Sequence, residues 1–201
     1  MISIDDKTYP IKEVNRYKNQ TPKTQIVLAS SLRKDHNHIL RLQRRDYGNT
    51  KTWNTYTISR EGIVYQHYDP MYHTDFLGIK DSDKQNITIV LENMGSLYKT
   101  PSGKYVNWIN EICENDRVIT KKWLGYTYWE KYDDIQIENA VKLCALLHER
   151  FGIPKKLIDF RQYHKDATAF KGIIFKSNFF EECSDNNPLI DIENFTELLS
   201  K

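Results

Sequence analysis

Apolar positions in this chain fall into two patterns: short unbroken runs, and one long stripe of three- and four-residue steps. Gln25-Ile26-Val27-Leu28-Ala29, Asn86-Ile87-Thr88-Ile89-Val90-Leu91 and Gly172-Ile173-Ile174-Phe175 are short runs, the mark of strands covered on both faces. Tyr56-Thr57-Ile58-Ser59 and Ile63-Val64-Tyr65-Gln66 flank Arg60-Glu61-Gly62, which predicts a hairpin with Gly62 at positive φ. A second hairpin is expected around Pro101-Ser102-Gly103. Ile137, Ala140, Val141, Cys144, Leu147 and Phe151 form the long stripe, predicting a helix over 134–151. Asp133 and Gln136 fit a capping box at its start, Gly152 fits its end, and Pro154 prevents resumption. Shorter helices are expected over 36–47 and near 192–199. The segment 114–132 is rich in aromatics (Trp123, Tyr126, Tyr128, Trp129) but shows no period, and is expected to be irregular. Ile2-Ser3-Ile4 and Tyr9-Pro10-Ile11 surround Asp5-Asp6-Lys7, predicting a small hairpin extension over 1–20 ahead of a main domain over 21–201. The whole reads as an α/β (α+β) fold, a mixed central β-sheet flanked by helices, with the long helix packed across it.

Length and charge narrow the picture. The 201 residues suit one domain with a sizeable core. Lys and Arg number 29 against 27 Asp and Glu, a net charge of +2, so a nucleic-acid partner is not expected. Arg41, Arg44 and Arg45, beside Asp46, read as a solvated helix face. No apolar run approaches the roughly 20 residues that span a bilayer, so membrane insertion is not expected. The opening residues lack a basic segment followed by an apolar one, so no Sec signal is read. The expectation is a protein made in the cytoplasm that leaves a cell by lysis, in a virion or by a specialised route. Cys113, Cys144 and Cys183 are widely spaced with no CxxC pair, which argues against a disulfide framework or a zinc knuckle. Cys183 reads as an idle thiol.

Several strings, in order, carry a resemblance: IVLASS, NTYTISREGIVYQ, YHTDFLG, NITIVLEN, YDDIQIENAVKLCALLHERFGIP, GIIFKSNF and NPLID. Together they span roughly residues 24–195 and resemble the zinc-dependent N-acetylmuramoyl-L-alanine amidases, a family that includes phage lysozymes and animal peptidoglycan recognition proteins. The resemblance implies a zinc ion on two histidines and an aspartate or cysteine, with an open position for water. The metal would activate that water against the amide between muramic acid and L-alanine. Mapped residue by residue, the first ligand falls on Ala29, the second on Lys176 and the third on Asn187, or on Asp185 with a different gap. The assisting tyrosine falls on Asn54. Alanine has no donor atom and a protonated lysine repels a cation. Positions 24–31 and 170–180 hold no histidine to substitute. The resemblance therefore implies a degenerate member without metal, cofactor or catalytic residues. A salt bridge from Lys176, for instance to Asp185, would replace the zinc.

The remaining histidines are weighed singly. His36-x-His38 puts two imidazoles on one side of a strand but splays them on a helix; at a loop or helix start they read as exposed polar residues. His67 is expected to face solvent, His148 to lie on a partly exposed helix face, and His164 in a loop. His73 matches a groove histidine of the family that is not a ligand. The implied binding groove has Tyr72, His73 and Thr74 as its wall and Trp53 and Asn54 near its floor, with His73 at the surface. Trp53, Trp108, Trp123 and Trp129 suit core packing better than sugar stacking.

Three functions fit these residues. The first is a pseudoenzyme that binds peptidoglycan fragments or a protein partner without cutting, such as a bacteriophage virion or tail component. The second is an amidase with ligands relocated to His36, His38, His73 and Asp185. The third is an assembly module that makes its contacts through the N-terminal hairpin and an insertion over 98–131.

Overall fold

The computed structural model describes residues 2–158, 162–181, 183 and 188–200. In chain order the elements are β1 (Ile4–Asp5), β2 (Gln25–Ser30), α1 (Asn37–Arg44), β3 (Tyr56–Ile58), β4 (Val64–Gln66), α2 (Lys80–Gln85), β5 (Asn86–Leu91), β6 (Ser96–Lys99), β7 (Tyr105–Val106), β8 (Ile112–Cys113), β9 (Val118–Trp123), β10 (Tyr126–Glu130), α3 (Asp134–Phe151), β11 (Gly172–Phe175) and α4 (Ile192–Ser200). A six-stranded sheet has the order β1-β4-β3-β5-β2-β11. Its β3–β4 pair is antiparallel and its other pairs are parallel. A second sheet, β8-β7-β6-β10-β9, is antiparallel throughout.

The unbroken apolar runs are the interior of the six-stranded sheet. Every residue of β2 and β5 is buried, as expected for parallel strands covered on both faces. Ile26, Leu28, Ile58, Ile87, Ile89 and Leu91 share one core with Ala140, Val141, Leu143, Cys144 and Leu147 of α3. The capping box of Asp133 and Gln136 is present, and Gly152 ends α3 at φ 68°. Gln136 also donates through Nε2 to Ile58 O at 3.2 Å and Glu92 O at 3.0 Å, tying the helix start to two strand ends. Gly62, at φ 82°, turns the β3–β4 hairpin beneath α3, where a Cβ would meet Ile135 Cγ1 at 2.6 Å. On the opposite face Ile39 and Leu42 of α1 pack with Trp53, Tyr65 and Tyr68.

Two expectations are corrected. The N-terminal segment is not a hairpin. Ile4 and Asp5 pair in parallel with Val64 and Tyr65, so the segment extends the main sheet. Asp5 Oδ1 instead accepts from the Lys7 and Thr8 amides, closing a side-chain-capped turn. The aromatic stretch 114–132 is not irregular, because β9 and β10 form a hairpin within it. Its two-residue turn puts Leu124 at φ 46° and Gly125 at φ 78°, the positive pair that a type I′ turn requires. Leucine rarely adopts that conformation, so the turn gives no sequence signal. A register shift between Tyr126 and Tyr128 also breaks the alternation. The expected insertion over 98–131 supplies most of the second sheet.

Candidate functional site: a cationic cleft at the strand ends

The ends of the central parallel strands lie side by side. Ala29 of β2 pairs with Val90 of β5, and Val90 pairs with Thr57 of β3. Because Phe175 pairs with Leu28, the next residue, Lys176, leaves β11 beside Ala29. Val90 and Lys176 line a cavity of about 240 Å³. Asn54, Thr52 and Phe76 line it from the sheet side, and His38, Arg41 and Leu42 of α1 line it from above. The loop after β2 brings Ser31, Leu32 and Arg33, with Leu32 held at φ 56°. Trp108, from the β7–β8 loop of the second sheet, completes the lip, its indole donating to Leu32 O at 3.1 Å. Arg33 stands over the Trp108 ring at 5.2 Å.

Beneath the cavity is a chain of neutral polar groups. His67 Nδ1 lies 2.9 Å from the Tyr9 carbonyl, so it carries the ring proton, and Nε2 accepts from the Thr57 hydroxyl at 2.8 Å. Asn54 Nδ2 donates to Thr57 Oγ1 at 2.8 Å and to Tyr56 O at 2.7 Å. His38 Nε2 stands 3.5 Å from the same hydroxyl. Burial pushes His38 down to about 3 and His67 to about 4, so both are neutral at pH 7. His38 Nδ1 and Asn54 Oδ1 are buried without a hydrogen-bond partner. Burial, followed by the nearby Arg33 and Arg45, lowers the pKa of the Arg41 guanidinium.

Of the five residues proposed for the groove, only Asn54 lines this cavity. Trp53 is buried with its ring 5.3 Å from His67. Thr74 is buried and donates to Trp53 O. His73 is 7% exposed rather than on the surface, stacked on Tyr17 at 4.5 Å. Tyr72 lies under the Arg16 guanidinium at 3.7 Å, in a separate hollow with Asp69. The physical reason is the N-terminal segment, whose Tyr17 and Thr21 amides donate to His73 O and Met71 O and so cover the loop.

Two further expectations change. His67 is buried, not solvent-facing, and His38 is buried while His36 is only partly so. The helix does splay that pair: His36 Nδ1 meets Glu92 at 2.6 Å, and His38 meets Thr57. Arg41, Arg44 and Arg45 are exposed, as expected of a solvated helix face, but that reading did not reveal that Arg41 also borders the cavity. The available signal was Arg33, on the loop that leads into the same helix.

These residues do not fit a zinc ion. Ala29 has no donor, Lys176 brings an ammonium, and Arg33 and Arg41 oppose a dication. Among the described residues no group of three or more His, Cys, Asp or Glu is placed to hold a metal. Asp185 and Asn187 lie outside the described residues.

Solved structures with this architecture include the N-acetylmuramoyl-L-alanine amidase LysC from Clostridium intestinale URNW, at TM-score 0.57 and 12% identity over 100% of this chain and 99% of that one. The fold is that of the N-acetylmuramoyl-L-alanine amidases. A mutant endolysin from Bacillus subtilis matches at TM-score 0.58 and 14% identity over 99% of both chains. The catalytic domain of XlyA matches at TM-score 0.58 and 14% identity over 98% of this chain and 99% of that one. No family model and no curated relative matches the sequence. Similarity at this identity carries the amidase fold and not its chemistry.

Proposed function

We propose that this chain is a non-hydrolytic protein of the amidase fold, one that binds peptidoglycan fragments or a protein partner without cutting them. The observation that carries this reading is the donor set at the strand ends, where Ala29, Val90 and Lys176 stand together. A metal hydrolase needs coordinating donors and an open position for water; these three side chains offer neither. The amidase and endolysin neighbours support peptidoglycan as the ligand class and a bacteriophage setting, such as a virion or tail component. The purified protein is expected to hold no stoichiometric zinc and to release no L-alanine peptide from muramyl substrates, while intact sacculi retain it. One equivalent of tight zinc with chelator-sensitive release would refute the reading.

The assembly-module reading has one observation in its favour. Trp53, Tyr72, His73 and Thr74 are packed against other residues, so the expected groove wall offers few free contacts. Failure of sacculi to retain the protein, together with self-association or capture by a tail protein, would select it.

A further inference from the structure

Arginines elsewhere in the molecule have carboxylate partners. Arg16, Arg45, Arg60, Arg117 and Arg150 each lie within 4.0 Å of one. Among the described residues Arg33, Arg41 and Arg44 are the arginines that form no ion pair, and they are neighbours. Arg33 and Arg41 line both the cavity at the strand ends and the adjoining groove, which Arg44 lines too. Among the described residues no carboxylate lines that cavity, whereas Ser31 and Thr52 add hydroxyls. In the adjoining groove the one acid among the described residues is Glu111, which already accepts from the Lys34 amide, Asn37 and Asn107. Arg33 is half-buried while Arg41 and Arg44 are exposed; water screens their mutual repulsion without abolishing it, and an anion seated between Arg33 and Arg41 would relieve the rest.

The polar floor adds a requirement for a donor beside the anion. Asn54 spends its amide protons on Tyr56 O and Thr57, leaving Oδ1 buried with no partner in a side chain that lines the cavity. That atom only accepts, so it suits a hydroxyl or amide N–H adjacent to the anionic group. The volume of about 240 Å³ holds one such group rather than a whole drug-sized ligand. The remainder would run along the groove past Leu40 and Arg44.

We propose that this cleft is an oxyanion-binding site, in which Arg33 and Arg41 grip a phosphate or carboxylate group of a small organic ligand where the amidase fold otherwise suggests a cation. The inference rests on the charge and polarity of the cleft and not on peptidoglycan binding; retention on sacculi and anion binding fail separately.

The test is titration of the full chain with inorganic phosphate and, separately, with acetate, followed by amide chemical shifts and thermal unfolding. Saturable binding that raises Tm and shifts Ser31, Arg33 and Asn54 amides is expected. A response to phosphate alone assigns a phosphoryl group, and a response to acetate alone assigns a carboxylate. Arg41→Gln and Arg33→Gln should each weaken binding about tenfold or more, the scale of a hydrogen bond to a charged group. Arg150→Gln, whose partner Asp69 lies elsewhere, should leave it unchanged. Without anion, Arg41→Gln should raise Tm, because it relieves repulsion; a purely structural arginine would lower it. No saturable response to either anion, or equal responses from wild type and the Arg33 and Arg41 variants, would overturn the proposal.

Discussion

On the face of the six-stranded sheet covered by α3, the side chains are Ile26, Leu28, Ile58, Ile87, Ile89 and Leu91, and the helix answers with Ala140, Leu143 and Leu147. On the face beneath α1, the same strands present Thr55, Thr57 and Thr88, joined by Asn54, His38 and His67. Strand alternation sends successive residues of one strand to these two environments. The α3 face is held by area removed from water, which tolerates apolar exchange. The α1 face has a smaller apolar cluster of Ile39, Leu42, Trp53, Tyr65 and Tyr68 and relies in addition on hydrogen bonds, which fail when one partner is lost. A fold can therefore keep its α3 face while the side chains on the other face change.

The strongest expected effect lies at the seam between the two sheets. Glu130 is fully buried between Arg60 and Arg117 at 2.9 Å from each. Glu130→Ala removes the buried carboxylate that two guanidiniums share, leaving Arg60 only the exposed Asp35 and Arg117 only Asp133, and is expected to cost about 3–5 kcal/mol in urea unfolding. A loss below about 1 kcal/mol would show that water enters the seam. Leu147→Ala, on the α3 face, should cost about 2–5 kcal/mol as a cavity mutation. Thr57→Val removes the hydroxyl shared by Asn54 and His67 with little change of shape, and should cost about 1–3 kcal/mol. If Thr57→Val proved the costlier of the two, the contrast between the faces would be wrong.

Acid sharpens the contrast further. His38 and His67 stay neutral in the folded chain down to about 3 and about 4, against 6.5 unfolded. The unfolded chain takes up protons first, so stability is full above about 6.5 and falls as pH drops, by about 1.4 kcal/mol per unit for each histidine. Asp83 works in reverse. Burial raises it to about 6, so folding gains on acidification from there toward its unfolded value of 3.8. His67→Asn should make the acid limb shallower by about one histidine's slope, measured by urea midpoints between pH 6.5 and 4.5. An unchanged slope would mean that His67 is solvated.

The α3 face was legible in the sequence because apolar runs and a helical stripe state which side is buried. The capping box at Asp133 and the Gly62 turn were legible for the same local reason. The α1 face was not. His67 and Thr57 are polar, and polarity alone does not reveal burial when one partner, Tyr9, is distant in the chain and the other, Asn54, lies in the irregular segment before β3. The fate of His73 depended on Tyr17, which no local pattern links to it. Arg41 read as solvated and is exposed; that it borders the cavity and forms no ion pair among the described residues is visible only in three dimensions.

The pairing of β2 with β11 carries a kinetic consequence. Gln25 sits in register with Gly172, so an inner strand made early gains its outer neighbour only after most of the chain exists. Contacts of such long sequence separation fold slowly. During synthesis the β2 edge, with Ile26, Val27 and Leu28 already paired on one side to β5, stays open to any other extended chain. The long helix α3, complete before β11 emerges, can cover one face of the sheet in that interval but not its edge. The chain is thus most exposed to aggregation on the ribosome, between the emergence of β5 and the arrival of β11.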